Sequence, residues 1–416
     1  MATNRNFQDM LNEYLPNELL KEELIKRDYI LSNVQKDNNW KGGNLVVPFK
    51  RNGATSVKFG GLTAAGNIVQ SKYIRGNIAD YRELWGSLLF DQRDLQEHDG
   101  RIPTSTFLRL LPDELEDYME YVKEVTSIQF GSGPQFGNAT SNGTAGGTID
   151  VDKIDRFQID QLVHLSDDTP QDQIYYVTQI DIDNLRVTLS LTRGGAPADL
   201  SGFLLANFPV FFHDGVYDAG GNHDTFISFR QSLLSAANGG DATLHGQTKL
   251  QNPILQAVNV DGTSITAANI LDKFFDAFTE VRQRSKGRAT EYLMSLKNYG
   301  SVMKQLELQK GAFRVVEEPK ESLYGWMEMK IANVTGQVVK MVGIQEMDDD
   351  IVPLVDWRNI TFRTNGYFRK RISPDGREYF EIRNNNGYQY ICDLSLFGEM
   401  EYRKPGHSAI INNVQY

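Results

Sequence analysis

From Thr104 to Phe130, apolar residues return every three or four positions: Leu108, Leu111, Leu115, Tyr118, Met119, Val122 and Val125. That period places them on one stripe of a helix, with Asp113, Glu114, Glu116, Asp117, Glu120 and Glu124 on the other face. Pro112 has no amide proton and crowds the turn before it, so it belongs in a first turn. A regular helix is therefore predicted over 112–128, with a looser turn ahead of it. Asp113 and Glu114 then sit where the helix dipole favours negative charge. Gly131 and Gly133 stop it. Most such stripes are ordinary core helices. This one stands between a half that reads as extended and a half that reads as compact sheet and helix.

Ahead of the helix, residues 1–41 are polar with scattered apolar anchors, among them Phe7, Met10, Leu11, Tyr14, Leu15, Tyr29 and Ile30. They suit one or two short helices around Pro16 and are too few for a separate domain. Docking on the chain's own domain is favoured over an arm reaching a neighbouring subunit. Next, Leu45–Phe49, Asn52-Gly53 and Ser56–Phe59 read as strand, turn, strand. Gly60, Gly61, Ala64, Ala65 and Gly66 form a small-residue tip, and the chain returns through Tyr73, Ile78, Tyr81, Leu84, Trp85, Leu88 and Phe90. A long two-stranded excursion is marginal alone in water. It is expected to lie across an adjacent subunit, touching it through Phe49, Phe59 and Trp85, with close backbone approach at Gly60, Gly61 and Gly66.

After the helix, residues 130–148 are glycine-rich and read as a flexible connector. Residues 149–212 alternate as a small all-β module: Ile174 to Ile182, a turn at Asp183-Asn184, then Leu185, Val187, Leu189 and Leu191. A helix is predicted from about Ala267, capped by Thr266, with Ile270, Leu271, Phe274, Phe275, Phe278 and Val281 inward and Gly287 at its end. A short strand at 291–295 and a second helix through Tyr299, Val302, Met303 and Leu306 follow. The rest, 312–402, is mainly strands, with a hairpin expected around Asp375-Gly376. The tail from Lys404 reads as polar and mobile apart from Ile410, Ile411 and Val414.

Composition changes this picture little. The 416 residues suit two or three domains, with 22 Phe, 18 Tyr and 4 Trp to fill cores. No run of eighteen apolar residues occurs, and the first residues lack the basic-then-apolar pattern of a secretory leader. A net charge of −11 argues against nonspecific nucleic-acid binding, which depends on neutralising phosphates. Cys392 is the only cysteine, so an intrachain disulfide is excluded, and its apolar strand context reads as an inert core thiol.

Candidate chemistry is sparse. The six histidines show no paired metal spacing. His213-Asp214 and His223-Asp224 invite an acid–base or metal reading, but both sit in glycine-rich loops where such residues are usually surface groups. Asp348-Asp349-Asp350 lacks the spacing of a calcium loop. Arg369-Lys370-Arg371 could touch phosphate, yet a solvated strand edge is favoured. Arg282, Arg284, Lys286 and Arg288 complement a helix C-terminus without any ligand. No catalytic residue, cofactor or metal site is assigned.

The order of these parts resembles the major capsid proteins of tailed bacteriophages, with the Hong Kong 97-type fold. Residues 44–90 look like that family's extended loop, 112–128 like its spine helix, and 267–309 like its axial-domain helices. The resemblance implies an α+β capsid fold with an N-terminal arm (1–43), an extended hairpin loop (44–103), the spine helix and start of a peripheral domain (104–148), and an inserted β module (149–212). An axial domain with peripheral strands (213–390) and a C-terminal peripheral strand and tail (391–416) complete it. It further implies hexamers and pentamers in an icosahedral virion shell around double-stranded DNA, assembled in the host cytoplasm. A separate scaffolding protein, a portal and a possible decoration protein would be partners. Lys50, Lys58 and Lys72 lie in the hairpin, but nothing in the sequence identifies crosslinking partners. Two alternatives stay open: a β-rich surface protein binding carbohydrate or a partner, and an enzyme with a site assembled from loops around His213 and His223.

Overall fold

The computed structural model describes residues 25, 28–40, 43–52, 72–78, 82–91, 107–166, 174–204, 210–213, 225–263, 265, 270–308, 326–332, 338–372, 374–384 and 387–414. The chain divides into two compact units, Ile128–Ser228 and the remainder. Phe59, Gly60, Gly61, Gly66, Asp214, His223, Asp224 and Thr266 lie outside the described residues.

The long helix runs Phe107–Gly131, five residues further toward the N-terminus than the proline rule allows. Pro112 removes one i→i−4 hydrogen bond, and the turns on either side carry the helix through it. The far end is as expected: the helix stops at Gly131, and Gly133 takes φ +103. Met119, Val122 and Val125 are buried, as the stripe requires. So is Lys123, which no periodicity flagged: its Nζ reaches Glu346 at 2.8 Å and Glu120 at 3.0 Å.

The N-terminal segment, over its described part, docks on its own unit. Tyr29–Asn33 is a short helix capped by Asp28, whose Oδ1 accepts from Leu31 N–H at 2.9 Å. Tyr29, Ile30, Leu31, Val34 and Trp40 are buried. Gln35–Asp37 then pairs in parallel with Ile360–Lys370, and Arg363 holds that pairing by bridging Asp37 and Glu401. Asp28 is fully buried, and burial pushes its pKa up to about 7, against the opposing pull of the Leu31 amide, Ser127 and Lys123; Glu346 adds to the rise. A carboxyl whose folded pKa is raised costs nothing below its unfolded pKa near 4 and costs progressively more as pH rises toward 7. Asp28→Asn keeps the cap and removes the charge. It should leave stability nearly unchanged at pH 4.5 and raise it by on the order of 2 kcal/mol at pH 8, read from urea midpoints. An equal effect at both pH values would contradict the assignment.

A six-stranded mixed sheet forms the main core of this unit, in the order Val258–Asp261, Ala409–Asn412, Ile351–Val355, Glu291–Met294, Val338–Ile344, Trp326–Ala332. The helices Ile270–Ser285 and Leu296–Leu308 pack on it, through Phe274, Phe278, Val281, Tyr299 and Val302. The Tyr292 hydroxyl donates to the Phe274 carbonyl at 2.5 Å, so a buried phenol is satisfied. The expectation of a mobile tail is overturned here. Ala409–Asn412 is an inner strand, buried at every residue, between Val258–Asp261 and Ile351–Val355. Buried on both faces, it shows no polar alternation to read.

A second sheet joins Gln35–Asp37, Ile360–Lys370, Gly387–Tyr402, Phe380–Asn384 and Arg82–Asp91. The hairpin expected at Asp375-Gly376 is not one. Gly376 does turn, at φ +82, but Ile360–Lys370 and Phe380–Asn384 each pair with Gly387–Tyr402 rather than with one another. Asn384 is instead paired with Gly387. Arg82–Asp91 pairs along Gln389–Gly398 on the other edge.

The unit Ile128–Ser228 is a β-barrel. Its strands run Gln135–Asn138, Val210–His213, Leu162–Ser166, Tyr175–Asp181, Arg186–Ser190, Thr148–Asp150. A bridge between Ala139 and Val151, with Asp152 N–H donating to Asn138 O at 3.0 Å, joins the first strand to the last. Phe136, Ile149, Val163, Leu165, Val177, Val187, Leu189 and Phe211 fill the inside. The turn at 182–185 falls where Asp183-Asn184 placed it. The flexible-connector reading of 130–148 fails: this stretch supplies the barrel strand Gln135–Asn138 and the first residue of Thr148–Asp150. Gly143 is a packing residue, since a Cβ there would lie 2.3 Å from the Leu200 carbonyl oxygen.

Candidate functional site: an anchored ribbon

Leu45–Asn52 and Lys72–Ile78 form a two-stranded antiparallel ribbon that, among the described residues, joins no other sheet. The register pairs Leu45 with Ile78 and Asn52 with Lys72. The strand expected at Ser56–Phe59, and Gly53 of the turn before it, lie outside the described residues.

Alternation along the ribbon sorts its faces. Val47, Phe49, Gly76 and Ile78 point inward and are buried. Phe49 lies parallel to the His245 ring at 6.0 Å between centroids, and a Cβ on Gly76 would sit 2.3 Å from the Phe49 ring. Asn77 N–H donates to the His245 carbonyl at 2.8 Å, and Gln247 donates to the Arg75 carbonyl at 2.8 Å. The opposite face carries Val46, Pro48, Lys50, Tyr73, Arg75 and Asn77, with Val46 55% and Tyr73 64% exposed.

This placement corrects the reading of Phe49 as a group for a neighbouring subunit: it is only 1% exposed, spent on its own chain. Trp85 is 45% exposed, with Phe397 edge-on at 5.8 Å and the Arg371 guanidinium 5.1 Å over its ring. It belongs to a sheet edge rather than to the ribbon. Sequence reasoning missed His245. It takes φ +49, accepts the Tyr402 N–H on Nε2 at 3.1 Å, and burial pushes its pKa down to about 4. It is a neutral wedge under the ribbon. The only local sign is its place before Gly246, in a tight turn between Thr243–Leu244 and Gln247–Thr248.

No protein-family model matches the chain, and no curated protein does. Among solved structures it is similar to the capsid of a native GTA particle computed with C5 symmetry, at 11% identity over 92% of this chain and 90% of that one, with a TM-score of 0.46. The capsid asymmetric unit of cyanophage A-1(L) gives 11% identity, coverage of 95% and 93%, and a TM-score of 0.48. A virus-like particle from Pyrococcus furiosus gives 8%, 95% and 97%, and 0.36.

The other candidates that fall on described residues meet structural partners. His213 stacks on Phe136 at 4.2 Å, and burial with the nearby Arg156 pushes its pKa down to about 4, which suits a neutral barrel residue. Asp348 and Asp350 both meet Arg230, at 3.1 and 2.5 Å, and Asp349 lies 3.6 Å from Lys297. The acidic triplet thus ties the helix Phe229–Leu233 to the sheet. Lys370 is buried against Glu378 at 2.5 Å, while Arg369 lies over Phe397 at the edge. Cys392 is fully buried, and burial pushes its thiol up to about 12. Among the described residues, no three His, Cys, Asp or Glu side chains converge on a metal-sized site.

Proposed function

We propose that the chain is a structural, non-enzymatic shell subunit of the tailed-phage major capsid type, assembling through its ribbon. The observation that carries this reading is the ribbon itself. It is pinned at one face by Phe49 and Gly76, and it leaves Val46 and Tyr73 exposed on the other. A rigid root that leaves Val46 and Tyr73 exposed is what an intersubunit arm needs, because ordering costs are met before contact. In this reading the segment 53–71, with Phe59, Gly60, Gly61 and Gly66, reaches the neighbouring subunit, and Trp85 contributes from the sheet edge. The Hong Kong 97-type arrangement would follow: the long helix as spine, the six-stranded sheet with its two helices as the axial domain, and the barrel as an inserted module. Hexamers and pentamers would close a virion shell in the host cytoplasm, with a separate scaffolding protein, a portal, possible decoration and packaged double-stranded DNA as partners. The acidic balance suits a wall that faces DNA without binding it.

Tyr73→Asp and Gly61→Trp test this together. Each should leave a monomer with an unchanged melting curve, while particles seen by negative-stain microscopy and sedimentation fall at least tenfold. Assembly at wild-type yield in both variants would remove the ribbon's role.

A further inference from the structure

A cavity of about 550 Å³ opens in the larger unit between the end of the helix Phe229–Leu233 and the segment 248–257. Leu233, Leu234, Leu255 and Ala257 give it aliphatic walls, and Ala236 and Leu250, both exposed, mark its mouth. The volume lies within the roughly 300–1,000 Å³ of cavities that seat small molecules. Most polar groups along the walls are engaged by the chain itself. Asn259 donates to the Leu233 and Ala257 carbonyls at 3.1 and 3.0 Å and accepts the Ser235 N–H at 2.9 Å. Gln256 donates to the Lys249 and Leu250 carbonyls at 2.9 and 3.0 Å. Arg284 is paired with Glu280 at 2.8 Å. Nothing in these walls selects a charged ligand.

Lys249 is the exception among the lining groups. It is 5% exposed, and its amine donates to the Gln231 and Leu234 carbonyls at 2.5 and 3.0 Å. Among the described residues no carboxylate stands within ion-pair distance of it, and Asp241 acts on it only from further off. Burial without a close counter-ion pushes its pKa down to about 8. A neutral amine has two N–H bonds and one lone pair. The two carbonyls account for both N–H bonds, which leaves the lone pair unengaged beside an aliphatic cavity.

We propose that Lys249 captures a neutral aliphatic aldehyde whose chain is seated in this cavity. Lysines desolvated in apolar pockets form Schiff bases with carbonyl compounds, because their unprotonated form is populated near neutral pH. The Lys249 nitrogen attacks the carbonyl carbon. Both amine hydrogens leave with the carbonyl oxygen as water, and a C=N bond replaces the C=O bond. The imine nitrogen then takes one proton from solvent, so the iminium keeps a donor for one of the two backbone carbonyls.

The test treats the full-length protein with hexanal and cyanoborohydride at about pH 7.5, where ordinary lysines are almost wholly protonated, and locates the alkylated lysine by peptide mass spectrometry. Lys249 should be labelled at least tenfold faster than any other lysine. Lys249→Arg keeps donors for both carbonyls but cannot form the imine; it should retain the wild-type melting curve and lose this adduct. Ala257→Leu narrows the cavity and should slow labelling of Lys249 about tenfold. Glyoxylate, a charged aldehyde without a chain, should label Lys249 no faster than the exposed Lys297. Labelling spread over other lysines with Lys249 unmodified would overturn the proposal. So would equal labelling of Lys249 by hexanal and glyoxylate, a comparison that needs no variant, or labelling unchanged in folded Ala257→Leu.

Discussion

Truncation after Ser408 should abolish folding of the larger unit. Ala409, Ile410 and Ile411 are each 0% exposed, and their strand separates Val258–Asp261 from Ile351–Val355. Burying each isoleucine contributes about 1.5–3 kcal/mol. Both neighbouring strands would also lose their ladder partner, leaving buried amides and carbonyls that cost about 1–3 kcal/mol apiece. The combined loss is of the size of a domain's whole margin, about 5–15 kcal/mol. The truncated protein should be insoluble, or soluble without a cooperative transition in near-ultraviolet circular dichroism. A sharp melt within a few degrees of wild type would show that the tail is dispensable.

Phe278→Ala should destabilise the same unit by about 3–5 kcal/mol. Phe278 is 4% exposed and sits with Phe274 and Val281 over Tyr292, Val352 and Ile411. Removing the ring leaves a cavity that these side chains cannot close without leaving their rotamers. Phe275, three positions earlier, is only partly buried, and Phe275→Ala should cost clearly less. Urea midpoints for the two variants give the comparison. Equal losses would mean that the helix face is not the one described.

Some of this molecule is written locally. Helix Ile270–Ser285, strand Glu291–Met294 and helix Leu296–Leu308 fall where periodicity puts them, because one face of each helix meets the sheet and the other meets water. The turn at 182–185, the inert thiol of Cys392 and the docking of Tyr29–Trp40 on their own unit were legible for similar reasons: each depends on a few neighbouring residues.

The rest depends on partners far along the chain. Val47, Phe49 and Ile78 mark strands, but the pairing of Asn52 with Lys72 is decided by burial against His245, some 190 positions away in sequence. Arg82–Asp91 continues the ribbon's apolar rhythm and yet joins Gly387–Tyr402, because that strand offers a free edge along its length. Glycines at 137, 143 and 147 look like a linker, since a missing side chain gives flexibility and close packing with the same letter; only Phe157, Leu200 and Ala198 standing over them show which. The sequence by itself determined the helices Ile270–Ser285 and Leu296–Leu308 and the turn at 182–185, all properties of short-range pattern. Tertiary structure alone decided which strands pair, that the barrel closes through Ala139 and Val151, and which face of the ribbon is left unspent, because those choices minimise exposed apolar surface and unpaired backbone over the whole unit rather than over any stretch of sequence.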